Sequence, residues 1–197
     1  MNIVERAKSI IITPKTEWVV VAGEEPNIQQ IVTGYVLPLA LVPAIASVIG
    51  LGLIGRGMMS SFGWGVAMGL IQFITAFVGV YVSAFVIDFL APKFASQKNM
   101  GRAVQLVAYS YTPVWVAGIL YLIPVLGAFV ILAGIYGLYL MYLGLPQTMR
   151  TPPDKVIVYL VVAIIAMIVI YWIISLILSS IILSMFGLSA LTMGRGM

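Results

Sequence analysis

The sequence predicts an all-α fold: a polytopic transmembrane helical bundle of about five spans, preceded by a short amphipathic helix lying in the membrane interface. Three observations carry this prediction. Of the 197 residues, 62% are hydrophobic and only 8% are charged, whereas a soluble domain carries roughly 25% charged residues. The apolar residues fall into five stretches long enough to cross a hydrocarbon core, for which about 20 residues suffice. Nearly all the charges fall outside those stretches. Water cannot solvate a surface so poor in charge, so lipid must be the solvent for most of the chain.

The expected organisation follows. Residues 1–28 form an N-terminal amphipathic, interfacial segment, 29–190 the five-span bundle, and 191–197 a C-terminal tail. Little chain remains for a separate soluble domain, so function must sit in the bundle or its short loops. No uninterrupted apolar run precedes the first span, where Glu5, Arg6, Lys8, Lys15, Glu17, Glu24 and Glu25 fall. The first span is therefore expected to act as the insertion signal.

Within residues 2–12, Ile3, Ala7, Ile10 and Ile11 share one helical face, while Glu5, Arg6, Lys8 and Ser9 lie largely off it. This is the pattern of a short interfacial helix. Thr13-Pro14 reads as an N-cap with proline at the first helical position. The helix that follows carries Trp18, a residue type enriched at headgroup level.

The first span is expected over about 31–54, with Pro38 and Pro43 as helix breaks inside it. The second, about 64–90, carries a Gly65/Gly69 step that permits close helix approach. Its far end carries Asp88, before Pro92. The third, about 103–123, is broken at Pro113. Pro124 and Gly127 then make a tight turn into the fourth, about 125–145, so these two spans form an antiparallel hairpin. In the fourth span, Gly134 and Gly137 are small residues suited to helix packing, beside Tyr136, Tyr139 and Tyr142. The fifth span, about 156–185, exceeds the core thickness and must tilt, bend or protrude; Ser179-Ser180 marks the expected bend. The five-span count puts Arg6, Lys8, Lys15, Lys93, Lys98, Arg102, Arg150 and Lys155 on one side, against Arg56 and Arg195 on the other. Positive charge favours the inside, so the N-terminus is expected in the cytoplasm and the C-terminus outside, in a prokaryotic cytoplasmic membrane.

Chemistry is constrained by what is missing. The sequence has no cysteine and no histidine, which removes disulfides, thiolate catalysis, the commonest general base and the commonest transition-metal ligand. Lysine is absent from the spans, and neither a phosphate-binding loop nor a metal-ligand cluster is present. No catalytic residue, cofactor or metal is therefore expected, and the chain does not read as an enzyme. The basic residues are too dispersed for nucleic-acid binding. Membrane lipids, further copies of the chain and other membrane proteins are the expected partners.

Two features stand against this background. Asp88 is the only acidic residue within a span, and a carboxylate in lipid needs a reason. It either holds an ion or pairs with a basic group at the nearby interface. Arg102, Gln105, Tyr109 and Thr112 recur three and four residues apart on one face of the third span. Together with Asp88 they form a candidate polar path, or else a set of interhelical hydrogen bonds. The second use is favoured, because the stripe fades beyond Pro113.

Several segments resemble the Ypt-interacting-protein (YIP) family: YSYTP at 109–113, LIPVLGAF at 122–129 and GIYGLYLMYLGLP at 134–146. YVLP at 35–38 and KVIVY at 155–159 fit the same pattern. The resemblance implies five spans and a compact, prokaryotic-type member. Its eukaryotic members act in vesicle traffic with small Rab-type GTPases and carry a sizeable cytosolic N-terminal region. Only a short segment precedes the first span here, so small-GTPase binding is not carried over. The expected function is a non-enzymatic membrane protein that organises partners or oligomers. The alternative is a small transporter or channel subunit using the polar path.

Overall fold

The computed structural model describes residues 2–54 and 62–173. The loop around Arg56, the far end of the fifth span with Ser179-Ser180, and the tail at 191–197 lie outside the described residues. Among the described residues there is no strand. Also among the described residues, five helices are long and apolar enough to cross a membrane: Ile28–Ile54, Phe62–Phe94, Met100–Leu122, Pro124–Thr148 and Val156–Ile173. Two shorter helices precede them, α1 (Ile3–Ile12) and α2 (Pro14–Gly23).

The third span is the centre of the bundle. It is the least apolar of the five, with a mean hydropathy of 1.3, yet 67% of it is buried, against 22–33% for the others. Every residue from Ala103 to Ser110 is buried. A helix surrounded by protein can carry polar groups that lipid would not accept, which is why its polar stripe is compatible with membrane insertion.

Small residues set the closest approaches. Gly65 and Gly69 pack the second span onto the first within one chain. A Cβ on Gly65 would lie 2.6 Å from the Gly52 nitrogen, and one on Gly69 would lie 2.8 Å from the Ala44 carbonyl oxygen. Gly137 in the fourth span meets the Ser110 carbonyl of the third, where a Cβ would be 2.7 Å away. Gly134 has no atom near enough to touch such a Cβ.

The prolines act differently from one another. The first span is not broken at Pro38 or Pro43, as was expected; it stays helical from Ile28 to Ile54. Proline removes one backbone donor, and here a wider π-helical turn at Val32–Val36 leads into the α segment that holds Pro38. Pro43 sits within that segment, and its ring packs where Gly118 of the third span has no side chain. A second π turn, Gly50–Ile54, carries the helix through Gly50 and Gly52. Pro113 does mark a break. The helix Met100–Ser110 stops, Tyr111 makes a turn, and a short helix restarts at Thr112. Pro124 opens a 3-10 turn after Ile123 adopts extended backbone, so the third and fourth spans form the expected hairpin. Pro146 lies inside the fourth span rather than in the following loop.

The N-terminal helices run beside the spans. Asn2 caps α1, with its side chain accepting from the Val4 N–H at 3.0 Å. Thr13 does not cap α2 as its position suggested. Its hydroxyl instead donates back to the Ser9 carbonyl at 3.1 Å, closing α1, while Pro14 starts α2. Ala7 and Ile10 of α1 are buried as expected. Trp18, expected at headgroup level, is instead fully buried in α2, between Leu106, Tyr109 and the fourth span's Gly144. Gly144 makes that possible, since a side chain there would collide with the indole. The turn between α1 and α2 reaches Tyr136, whose hydroxyl donates to the Ile11 carbonyl at 2.7 Å.

Candidate functional site

The polar stripe of the third span faces the N-terminal hairpin. Asn99 caps the span, accepting from the Arg102 N–H at 3.0 Å. This places the Arg102 side chain one turn into the helix, beneath the end of α2. There its Nη1 points at the carbonyl oxygens of Glu24 (2.7 Å) and Val21 (3.3 Å) and at Gln105 Oε1 (3.1 Å). Gln105 Nε2 donates to the same Val21 carbonyl at 3.3 Å. The last carbonyls of a helix lack partners within it and carry the negative end of its dipole. Arg102 and Gln105 meet both needs for α2.

One turn deeper, α1 supplies a buried cation. Arg6 is 4% exposed and pairs with Glu17 and Glu24 of the neighbouring helix and its end. Its guanidinium lies 5.5 Å from the Tyr109 ring centroid. The sequence pattern placed Arg6 off the buried face, because it considered α1 alone. With α2 packed alongside, α1 has two buried faces, and Arg6 occupies the second. Tyr109 also meets Tyr35 of the first span edge-on, with centroids 4.8 Å apart, and the Trp18 ring at 6.3 Å. Tyr35 and Thr112 share a buried hydroxyl–hydroxyl hydrogen bond of 2.8 Å. Arg102, Gln105, Tyr109 and Thr112 are thus brought together with Arg6, Glu17, Glu24 and Tyr35, four residues the stripe alone did not reveal. A signal existed: Glu17 and Glu24 are seven residues apart, hence on one side of α2.

Asp88 stands apart from this cluster. It is buried in the second span, and its Oδ1 has no hydrogen-bond partner among the described residues. Its electrostatic neighbour is Tyr159 of the fifth span, whose hydroxyl donates to the Ile87 carbonyl and whose ring stacks on Phe94 at 4.8 Å. The expected pairing with a basic group at the interface is not made. Lys93 lies over the Phe89 ring instead, 6.0 Å from its centroid, and both ion pairs among the described residues belong to Arg6. Asp88 and the stripe therefore do not form the single path drawn from the sequence. Among the described residues, no three carboxylates gather as a metal site would require.

A family model described as the Yip1 domain matches residues 8–174. The chain belongs to the Yip1 family. The inner membrane protein YohC of Escherichia coli K12 is 25% identical over 151 residues, covering 72% of this chain and 77% of that one. The same-named protein of the O6:H1 strain matches to the same extent. No solved structure matches.

In this Yip1-family bundle the segments that carry the resemblance do structural work around the central span. Within YSYTP, Tyr109 meets Arg6, Ser110 backs onto Gly137, Tyr111 bonds Ser83 of the second span at 2.6 Å, Thr112 bonds Tyr35, and Pro113 follows the break. Four consecutive residues, Tyr109 to Thr112, thus tie the third span to the first, second and fourth and to α1. LIPVLGAF builds the 3-10 turn between the third and fourth spans, and GIYGLYLMYLGLP lines the fourth.

Proposed function

We propose that this protein is a non-enzymatic scaffold of the cytoplasmic membrane, organising copies of itself or other membrane proteins, with its N-terminal side in the cytoplasm. The observation that carries this reading is the engagement of the polar stripe. Arg102 and Gln105 cap α2, Thr112 bonds Tyr35, and the ring of Tyr109 is sandwiched among Arg6, Tyr35 and Trp18. A conduit needs polar groups turned towards water along a continuous line. Here Arg102, Gln105 and Thr112 are bonded to protein, and the one intramembrane carboxylate lies away from them. The name of the Escherichia coli relative, an inner membrane protein, supports the location. Binding to small GTPases forms no part of the proposal.

The test is flux in proteoliposomes. The scaffold reading expects no proton, sodium or potassium flux above that of empty liposomes. It also expects Asp88→Asn to leave that result unchanged and to melt no lower than the parent. The reason is that Oδ1 has no hydrogen bond to lose and Asn keeps the shape of the side chain. A parent flux abolished by Asp88→Asn, with folding intact, would replace the scaffold by a conduit.

A further inference from the structure

The contacts of the α1–α2 hairpin measure how far it descends along the spans. Both of its ends sit at one end of the bundle. Ile3 lines a cavity with Glu24, Glu25 and Asn27, and Arg102, near the start of the third span, bonds the Glu24 carbonyl. The turn of the hairpin sits much deeper. The Ile11 carbonyl accepts from the Tyr136 hydroxyl, and Tyr136 lies twelve residues before Thr148, where the fourth span ends. At about 1.5 Å per residue this is roughly 18 Å, comparable with half of a hydrocarbon core about 30 Å thick. The other spans agree. Ile11 shares a groove with Pro38, ten residues after Ile28 opens the first span, and with Val116, which lies beyond the break of the third. Trp18 of α2, against Leu106 and Gly144, marks an intermediate depth.

We infer that this hairpin is re-entrant, dipping into the leaflet on the N-terminal side, and that the groove beside it seats one anionic phospholipid whose headgroup is drawn down to Lys8. The inference goes beyond the scaffold reading and holds whichever way the bundle faces.

The exposed surface of the hairpin suits acyl chains. Val4, Ile12, Val19 and Val20 are each more than half exposed. Such side chains are at home in lipid and costly in water. The groove between α1 and the spans has a volume of about 440 Å³. Ala7, Ile11, Pro38, Leu39 and Val116 give it apolar walls, and Lys8 is the one charged residue that lines it. A chain of methylenes matches those walls.

Lys8 names the headgroup. It is exposed, and both ion pairs among the described residues belong to Arg6, which also occupies Glu17 and Glu24. Glu5, one turn before Lys8, makes no ion pair with it. An ammonium on a helix that dips into a leaflet needs a counter-charge. Its flexible stem can rise towards the interface while a phosphate descends to meet it. An anionic lipid is preferred to a zwitterionic one, whose own cation competes for the phosphate.

Two measurements on the full-length protein test this. The sequence has no cysteine, so Ile12→Cys and Gly23→Cys each supply a single thiol for a nitroxide. Both positions are exposed, one at the turn and one at the end of α2. In vesicles of phosphatidylcholine and phosphatidylglycerol, the label at 12 should meet more dissolved oxygen and less water-soluble nickel chelate than the label at 23. In native mass spectrometry from an equal mixture of the two lipids, the parent should retain one phosphatidylglycerol per chain, favoured about fivefold, the effect of one lysine near a membrane surface. Lys8→Gln should lose that preference at an unchanged melting temperature, since Lys8 bonds nothing in the protein. Val116→Trp, which fills the groove from an exposed position, should lose the retained lipid. The inference is overturned if the label at 12 reads no deeper than the label at 23, if the parent retains both lipids equally or neither, or if either variant retains phosphatidylglycerol as the parent does.

Discussion

A guanidinium withdrawn from water needs its charge matched and its donors met. Arg6 meets that requirement with Glu17, Glu24 and the face of Tyr109, all contributed by other elements. The cluster therefore fixes where α1 and α2 sit relative to the third span. Arg6→Ala would leave two carboxylates without a counter-charge. Removing one partner of a buried pair costs about 3–5 kcal/mol, and the low end applies here because the Glu24 side chain is 40% exposed. The variant is expected to lose ~3 kcal/mol of stability and to make a spin label at Ala7 more accessible to lipid or water. A melting temperature within a degree of the parent's, with an unchanged label, would show that the ion pairs do not hold the hairpin. Arg6→Lys is expected to recover only part of the loss, since an ammonium cannot present the planar fork that reaches two carboxylates at once.

At the scale of elements, much was legible because membrane physics writes it in large letters. Backbone groups in lipid must be satisfied within the segment, so long apolar runs become helices, and charge marks their ends. The polar face of the third span was legible too, but its partner was not. Amphipathic periodicity describes one helix against an average surrounding; it cannot say that α2 supplies carbonyl oxygens for Arg102 and Gln105 to cap. The same limit explains Trp18, whose burial depends on Gly144, far away in sequence. Glycines give the sharpest test at this scale. Gly65→Leu must push against the Gly52 backbone, which cannot rotate away, so it should destabilise by at least the 1–3 kcal/mol typical of overpacking. Gly134→Leu meets open space within the chain and replaces a poor helix former by a good one. It is expected to raise the stability of the single chain by up to about 0.8 kcal/mol. If copies of the scaffold meet at this small-residue face, the same substitution lowers the subunit count seen by native mass spectrometry. An unchanged count would place the contact elsewhere, and a Gly65→Leu protein as stable as the parent would remove the packing role of that step.

For the whole molecule, the distribution of charge decides which way the bundle faces. Eight of the ten basic residues fall on the side shared by the N-terminal segment and the loops that follow the second and fourth spans. Arg6 and Arg102 are engaged within the fold, yet both remain at that end of the bundle, where α2 closes over the third span. The retention of positive charge during insertion acts on residues near span ends, before such packing exists, so these two still count. The five-span count assigns Arg56 and Arg195 to the opposite side, and the tight turn between the third and fourth spans carries no charge at all. A reporter inserted near Gln97 should therefore read as cytoplasmic, and one fused after Met197 as external. The prediction rests on the odd number of spans as much as on charge. An odd count places the two reporters on opposite sides whichever way the protein inserts, and the charge bias then chooses between the two orientations. Both reporters on one side would overturn the span count, while opposite sides with the signs reversed would overturn the charge argument and leave the fold intact. Deleting residues 1–22 separates these causes further. With the first span expected to act as the insertion signal, insertion should persist. The loss of Arg6, Lys8 and Lys15 leaves five basic residues against two, enough to keep the same orientation. An inverted population after that deletion would show that the N-terminal hairpin, rather than the loops, sets the topology.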